Sequence, residues 1–227
     1  MTIQEYFGDW YKVINLTDAN ALLRRLVASR QTICPNIKDI FKAFALCPLH
    51  SLRVVIIGQD PYPDIKNCVP TATGIAFANS SSTPPSHFSP SLEVLMESVI
   101  DFSLPHGSVN FDPSLKKWES QGVLMLNSAL SCIAGKVGSH ALLWRPFIKS
   151  LLTNLSLHTN GIVYVLMGSE AQSFESCIND KHNHILKTRH PSWYARNNQV
   201  MPSDLWININ SILIGQNGYG IEWYETK

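Results

Sequence analysis

Three short polar clusters hold the residues of this sequence best suited to chemistry. Gln59-Asp60-Pro61-Tyr62-Pro63 sets one carboxylate and one phenol among two prolines, Asn127 closes an apolar run, and His190-Pro191-Ser192 follows another. A carboxylate can orient a water or balance a cation, an amide can donate and accept side by side, and a neutral imidazole can donate to a developing anion. Taken singly, each has a plainer reading. Asp before Pro favours turns, Asn caps chain ends, and a lone His is usually a hydrogen-bonded structural residue. Two prolines fixing φ around one carboxylate make the first cluster stiffer than a plain connector needs.

Four apolar runs must position these clusters. Val54-Val55-Ile56-Ile57 has no polar break, as a central strand buried on both faces requires, and Gly58 ends it. Gly122 to Leu126, Ile162 to Met167 and His184 to Thr188 read as further strands, ended by Asn127, Gly168-Ser169 and Arg189-His190-Pro191-Ser192. Helical patterns lie between them: from near Ser91-Leu92, from Leu115 to Ser120, from Ser139-His140 through Leu157 with Pro146 in or near its first turns, from Glu170 to Cys177, and from Ser203 to Ile214. Asp64 to Thr73, the Ser/Pro segment after Phe77, and Ser103 to Pro113 read as loops.

Residues 1–50 read as helical layers on the same core. They carry an aromatic segment around Tyr6, Trp10 and Tyr11, a helix capped by Thr17, and a third pattern at Ile37, Ile40, Phe41 and Phe44 opened by Pro35-Asn36. Strands alternating with helices predict an α/β fold: a central, mostly parallel four-stranded sheet flanked by helices on both faces, in one domain spanning 1–227. The carboxyl ends of parallel strands share one rim, so the carboxylate, the amide, the imidazole and several hydroxyls converge there.

Composition narrows the class without naming a partner. Over 227 residues the chain is 45% hydrophobic and 15% charged with a net charge of +1, which neither demands nor excludes a polyanion. No apolar run approaches the roughly 18 residues a membrane span needs, and no membrane partner is expected. The first residues lack a basic leader with an apolar core, so an intracellular site is expected: the cytoplasm, or the nucleus for a eukaryotic or viral source. Five scattered cysteines without a CxxC pair read as free thiols. His182 and His184 have no second cluster to complete a metal site, and no phosphate-binding glycine loop follows a strand, so neither metal nor cofactor is expected.

Together the clusters say more. GQDPY at Gly58 to Tyr62, GIAF at Gly74 to Phe77, PPS or SPS before the Leu92 helix, GVLMLN at Gly122 to Asn127, AGKVGSH at Ala134 to His140, GSEAQ at Gly168 to Gln172 and HPS at His190 to Ser192 stand in a fixed order. From about Val54 to the last helix the chain resembles the classical uracil-DNA glycosylases. That resemblance implies a three-layer α/β/α fold and a monomer that hydrolyses the N-glycosidic bond of deoxyuridine in DNA, leaving an abasic site as base excision repair begins. It also implies a proteinaceous inhibitor as a second partner.

The resemblance implies roles as well. Asp60 matches the carboxylate that positions water and stabilises a cationic sugar, and His190 the imidazole that hydrogen-bonds uracil O2, with backbone N–H groups near Gln59 and Asp60 serving the same oxygen. Asn127 matches the base-reading amide, Tyr62 the side chain against C5 that rejects a thymine methyl, and Phe77 the stacked ring. Ser91, Ser169 and Ser192 match serines that pinch DNA phosphates, and Pro85 and His140 complete the expected DNA-binding set. Tyr194 stands where the family inserts leucine into the space the base vacates, Trp193 where it has proline, Ala195 where it has serine, and Pro63 where histidine follows the motif tyrosine. An aromatic wedge can stack on exposed bases. The alternatives are a DNA-binding or replication-accessory module on a glycosylase scaffold, and a sister glycosylase for mismatched or modified bases, against which Asp60, Tyr62 and Asn127 argue together.

Overall fold

The computed structural model describes residues 3–100 and 109–226, so residues 103–108 of the expected Ser103–Pro113 loop lie outside the described residues. Its centre is one sheet of β1 (Val54–Gly58), β2 (Val123–Asn127), β3 (Val163–Met167) and β4 (His184–Thr188), in the spatial order β2-β1-β3-β4 and parallel throughout. Every residue of β1, β2 and β3 is buried, which is why those runs carry no polar alternation. Only β4, at one edge, is half-exposed.

The two faces of the sheet bury alternate residues against different layers. Val55, Ile57, Leu124, Leu126, Tyr164 and Leu166 face a layer built from α1 (Ile3–Phe7), α2 (Leu16–Ala28), α3 (Lys42–Leu46) and α6 (Ala141–His158). Here the N-terminal helices join the same core as the strands: Phe7, Trp10, Phe41 and Phe44 interlock at 4.9–6.2 Å, and Phe41 meets Trp144 at 5.8 Å. Val54, Ile56, Val123, Met125, Val163 and Val165 face α4 (Pro90–Val99), α5 (Lys116–Ser120), α8 (Pro191–Arg196) and α9 (Asp204–Asn217). The short α7 (Ser169–Gln172) follows β3 directly. Each large side chain so buried contributes roughly 1.5–3 kcal/mol.

Local chemistry moved several element boundaries. Asn15, not Thr17, caps α2: its Oδ1 accepts from the Thr17 and Asp18 N–H groups at 3.0 and 3.2 Å. The expected helix at 37–44 is a 3₁₀ turn, Ile37–Asp39, followed by α3. Residues expected to be only loop form a hairpin in which Ile65–Lys66 pairs with Val69–Pro70 around Asn67 and Cys68, both at positive φ. The Glu170–Cys177 pattern breaks into α7 and a 3₁₀ turn at Glu175–Cys177. The segment after His190, where no helix is expected from the sequence, is α8: His190 sits at its N-cap and Pro191 in its first turn, where a missing N–H costs little. Among the described residues no helix is long and apolar enough to cross a membrane.

One carboxylate in this core has no evident use. Glu119 of α5 is 0% exposed, and neither of its carboxyl oxygens makes a well-formed hydrogen bond. Burial pushes its pKa well above the ordinary range, and the Met125 backbone and the Lys42 ammonium offset this only in part. The folded state therefore favours the protonated acid, so stability is fullest below the ordinary carboxyl pKa and falls as pH rises above it. Glu119→Gln should match wild type near pH 4 and exceed it near pH 8 by at least about 1 kcal/mol, one pKa unit being ~1.36 kcal/mol. Denaturant unfolding at the two pH values checks this, and an equal difference at both would contradict it.

Candidate active site

A cavity of about 210 Å³ opens at the carboxyl ends of β1 and β2. It is smaller than the usual ~300–1,000 Å³ ligand pocket and so suits a single ring rather than a whole nucleotide. Its floor depends on a missing side chain. Gly58 pairs in register with Asn127, and a Cβ on Gly58 would lie 2.7 Å from Phe77 Cζ and 2.8 Å from Asn127 Oδ1. Only glycine lets the ring and the amide close over the strand end.

Phe77 is held there against its own backbone preference. Its φ is +65°, a left-handed value that is rare for an aromatic residue and characteristic of strained functional positions. The Tyr62 hydroxyl donates to the Phe77 carbonyl at 2.8 Å, and the Ala76 N–H bonds the Met125 carbonyl of β2 at 3.1 Å. The turn after β1 thus fixes the wall opposite it.

Asp60 Oδ2 accepts the Gly138 N–H at 2.5 Å, which leaves Oδ1 without a hydrogen-bond partner among the described residues. Burial raises its pKa, the Gly138 N–H offsets part of the rise, and the negative charge of Glu170 adds to it. The side-chain amide of Asn127, in a residue 8% exposed, bonds no described residue. Its donor and its acceptor both remain available to the cavity.

His190 is set by the start of α8. Its Nδ1 accepts the Ser192 N–H at 3.1 Å and lies 2.8 Å from Ser192 Oγ. An N–H aimed at Nδ1 requires the neutral tautomer with hydrogen on Nε2. Burial, helped by the charge of Arg196, lowers its pKa to about 4, so the ring is neutral at physiological pH. It packs on Gly168, whose φ is +88° and where a Cβ would lie 2.8 Å from the His190 Cβ. The His190 and Phe77 rings are 5.4 Å apart.

Such a cavity can hold a flat heterocycle under an aromatic ring, pair with an adjacent donor and acceptor on its edge, and donate to a third position that gains negative charge. Among the described residues no group of His, Cys, Asp and Glu is arranged to hold a metal ion. Residues 44–214 match the family model described as the uracil DNA glycosylase superfamily. The chain belongs to that superfamily.

Relatives and solved structures agree with that placement. The uracil-DNA glycosylase of Sodalis glossinidius is 33% identical over 209 residues, 91% of this chain and 88% of that protein. That of Yersinia pestis is 35% identical over 196 residues, 85% and 82% of the two chains. In fold, mimivirus uracil-DNA glycosylase superposes with a TM-score of 0.75 over 98% of this chain and 93% of its own, at 24% identity. A tyrosine-to-leucine variant of mimivirus UNG in complex with UGI reaches a TM-score of 0.78 at 25% identity, over 97% and 87%.

Against this glycosylase fold the remaining expected residues fall in three places. Gln59, Ser91 and Ser192 line the cavity with Asp60, Tyr62, Phe77, Asn127 and His190. Ser169, first in α7, and Pro85, in the Pro85–His87 turn, are exposed outside it. Two residues are buried. His140 is 7% exposed, with Nδ1 2.9 Å from Ser131 Oγ, which also accepts from Trp144 Nε1. This corrects its expected DNA-facing position, because its polar atom serves a core network.

Tyr194 is 8% exposed, packed among the side chains under the sheet with its hydroxyl 3.2 Å from Thr188 Oγ1. The helical turn of α8 rotates it inward, so in this structure it is core and not a protruding wedge. Trp193 beside it is half-exposed beneath Arg189, whose guanidinium lies 3.9 Å from the ring centre.

Sequence reasoning missed Arg196 on the cavity wall and Gly168 beneath His190. A helix starting at Pro191 was the signal available for the first. The fit at β1 gives the test: Gly58→Ala should keep the fold yet lower kcat/KM for uracil release at least about 100-fold, the scale of misplacing a reacting group by ~1 Å. Oligonucleotide cleavage assays, with thermal unfolding to verify folding, measure it, and near-normal release would contradict the close fit.

Proposed function

We propose that the cavity receives a uracil swung out of DNA and that Asp60, Asn127 and His190 divide the work of breaking its N-glycosidic bond. The observation that carries this reading is the meeting of the three around one cavity, with the imidazole neutral and its Nε2–H free. Glycosylases as a class act on an extruded base, because the reacting atoms are out of reach inside the duplex.

In this reading Phe77 stacks on the base. The Asn127 carbonyl accepts from uracil N3–H while its amide donates to O4. Cytosine offers an acceptor at N3 and a donor at C4, the reverse pattern, so it would leave buried polar groups mispaired. Tyr62, fixed by its bond to the Phe77 carbonyl, closes the cavity against C5 and leaves no room for a methyl group. His190 donates from Nε2 to O2, which backbone N–H groups near Gln59 and Asp60 would also serve.

As the C1′–N1 bond breaks, its electron pair stays with the base and the sugar becomes cationic. Asp60 faces that cation, orients a water toward C1′ and takes its proton. Burial raises the carboxyl pKa, which strengthens it as a base while leaving it ready to balance a positive sugar. Ser91, Ser169 and Ser192, with Pro85, bind the flanking backbone, a mode that needs no strongly basic composition. The whole chain serves as one catalytic domain, monomeric and inside the cell, without metal or cofactor. An inhibitor protein such as the UGI bound by the mimivirus UNG variant is a further partner in this reading.

Uracil-containing single- and double-stranded oligonucleotides test the reading directly through alkali-labile sites. Absence of release by folded protein at micromolar concentration would overturn it in favour of a DNA-binding module. His190→Ala should lower kcat by about 10²–10³-fold, the usual effect of removing one preorganised oxyanion donor, with DNA affinity little changed. Asp60→Asn should lower kcat by a comparable or larger factor, about 10²–10⁴-fold. Tyr62→Ala should gain release of thymine; a variant that still discriminates as wild type does would show that another group rejects the methyl.

A further inference from the structure

Among the described residues that line the cavity two are charged, Asp60 and Arg196. The other guanidiniums and ammoniums whose interactions are resolved are engaged elsewhere. Arg53 bonds the Tyr219 and Gly220 carbonyls, Arg145 pairs with Glu170 at 3.9 Å, Arg189 covers Trp193, and Lys187 pairs with Glu175 at 2.9 Å. No ion pair or hydrogen bond joins the Arg196 guanidinium to a described residue. It lies in the last turn of α8, and helix side chains lean toward the N-terminus, which brings its guanidinium back along α8 toward His190 at the cap.

Resting on the uracil-releasing function proposed above, we infer that Arg196 is an electrostatic positioning residue for the departing base. Its unpaired positive charge stabilises the anion left on N1, C2 and O2 as the C1′–N1 bond breaks. The reaction separates one positive charge on the sugar from one negative charge on the base, and the cavity wall carries one charge of each opposite sign. Asp60 answers the sugar; Arg196 answers the base. His190 cannot supply that charge, because its Nδ1 is already occupied by the Ser192 N–H and its ring is neutral. Arg196 and His190 line the same cavity from the two ends of α8. Bound DNA would cover the exposed guanidinium, and its field is stronger once water is excluded.

The test uses the whole protein, with Arg196→Gln and Arg196→Lys compared to wild type in single-turnover release of uracil and of 5-fluorouracil from the same oligonucleotide. Fluorine withdraws electrons, so 5-fluorouracil leaves with less help. Arg196→Gln should slow uracil release by about tenfold and 5-fluorouracil release by less than about threefold, each relative to wild type on that base. Arg196→Lys should recover most of the loss. Equal slowing on both bases would overturn the inference. So would a loss confined to KM with the salt slope of binding reduced by about 1, because that marks a phosphate contact instead. Uracil release by the wild type in the same experiment keeps the two questions apart: without it the function falls, whereas with it only the role of Arg196 is at stake.

Discussion

The close approach at Gly58 is the constraint on which the site depends. β1 is one of two strands with a parallel neighbour on each side, and its register brings Gly58 opposite Asn127. With no side chain there, the Phe77 ring and the Asn127 carbonyl oxygen both reach the space a Cβ would fill. The Phe77 ring and the Asn127 amide are thus positioned by one missing methyl group at the end of a fully buried strand. The strained φ of Phe77 follows, since the chain must turn sharply to bring that ring back over β1.

The same economy of means holds the imidazole. A neutral histidine is a weaker donor than a protonated one, yet it avoids burying a second charge in a site that already holds a carboxylate. The start of α8 supplies the Ser192 N–H that selects the tautomer, and Gly168 supplies the room for the ring. Both come from the ends of neighbouring parallel strands, β3 and β4, as the rim of such a sheet dictates. Preorganisation here is a matter of backbone N–H groups and absent side chains more than of long polar networks.

The parts legible in the sequence were those where burial writes a continuous pattern. VVIIG, GVLMLN and IVYVLM are strands buried on both faces, and their polar ends mark the rim without reference to any other protein. Boundaries set by single side chains were less legible. Thr17 and Asn15 are both good caps, and only the extended backbone of Asn15 decides between them. The stretch after His190 was hardest, because proline and serine suggest a loop as readily as a helix start, and the inward or outward facing of Trp193, Tyr194 and Arg196 depends wholly on that choice. His140 shows the opposite failure: its motif resembles the family's, but Ser131, itself bonded to Trp144, claims its ring for the core, which no local pattern reveals.

Treating α8 as a helix changes what its aromatic residues do. Tyr194 drives one face of α8 into the layer beneath the sheet and ties it by its hydroxyl to Thr188 at the end of β4. Its neighbours in that layer include Leu92 and Leu95 of α4, the helix whose first turn carries Ser91. The anchored helix presents His190 at its cap, Ser192 in its first turn and Arg196 in its last, so three polar groups of the cavity wall ride on one short rigid body. A side chain that must enter DNA from this segment has to come from its outer face, where Trp193 lies under Arg189, or else Tyr194 must first leave the core. The fixed geometry, in turn, is what lets an exposed arginine at one end of α8 act on chemistry directed from the other.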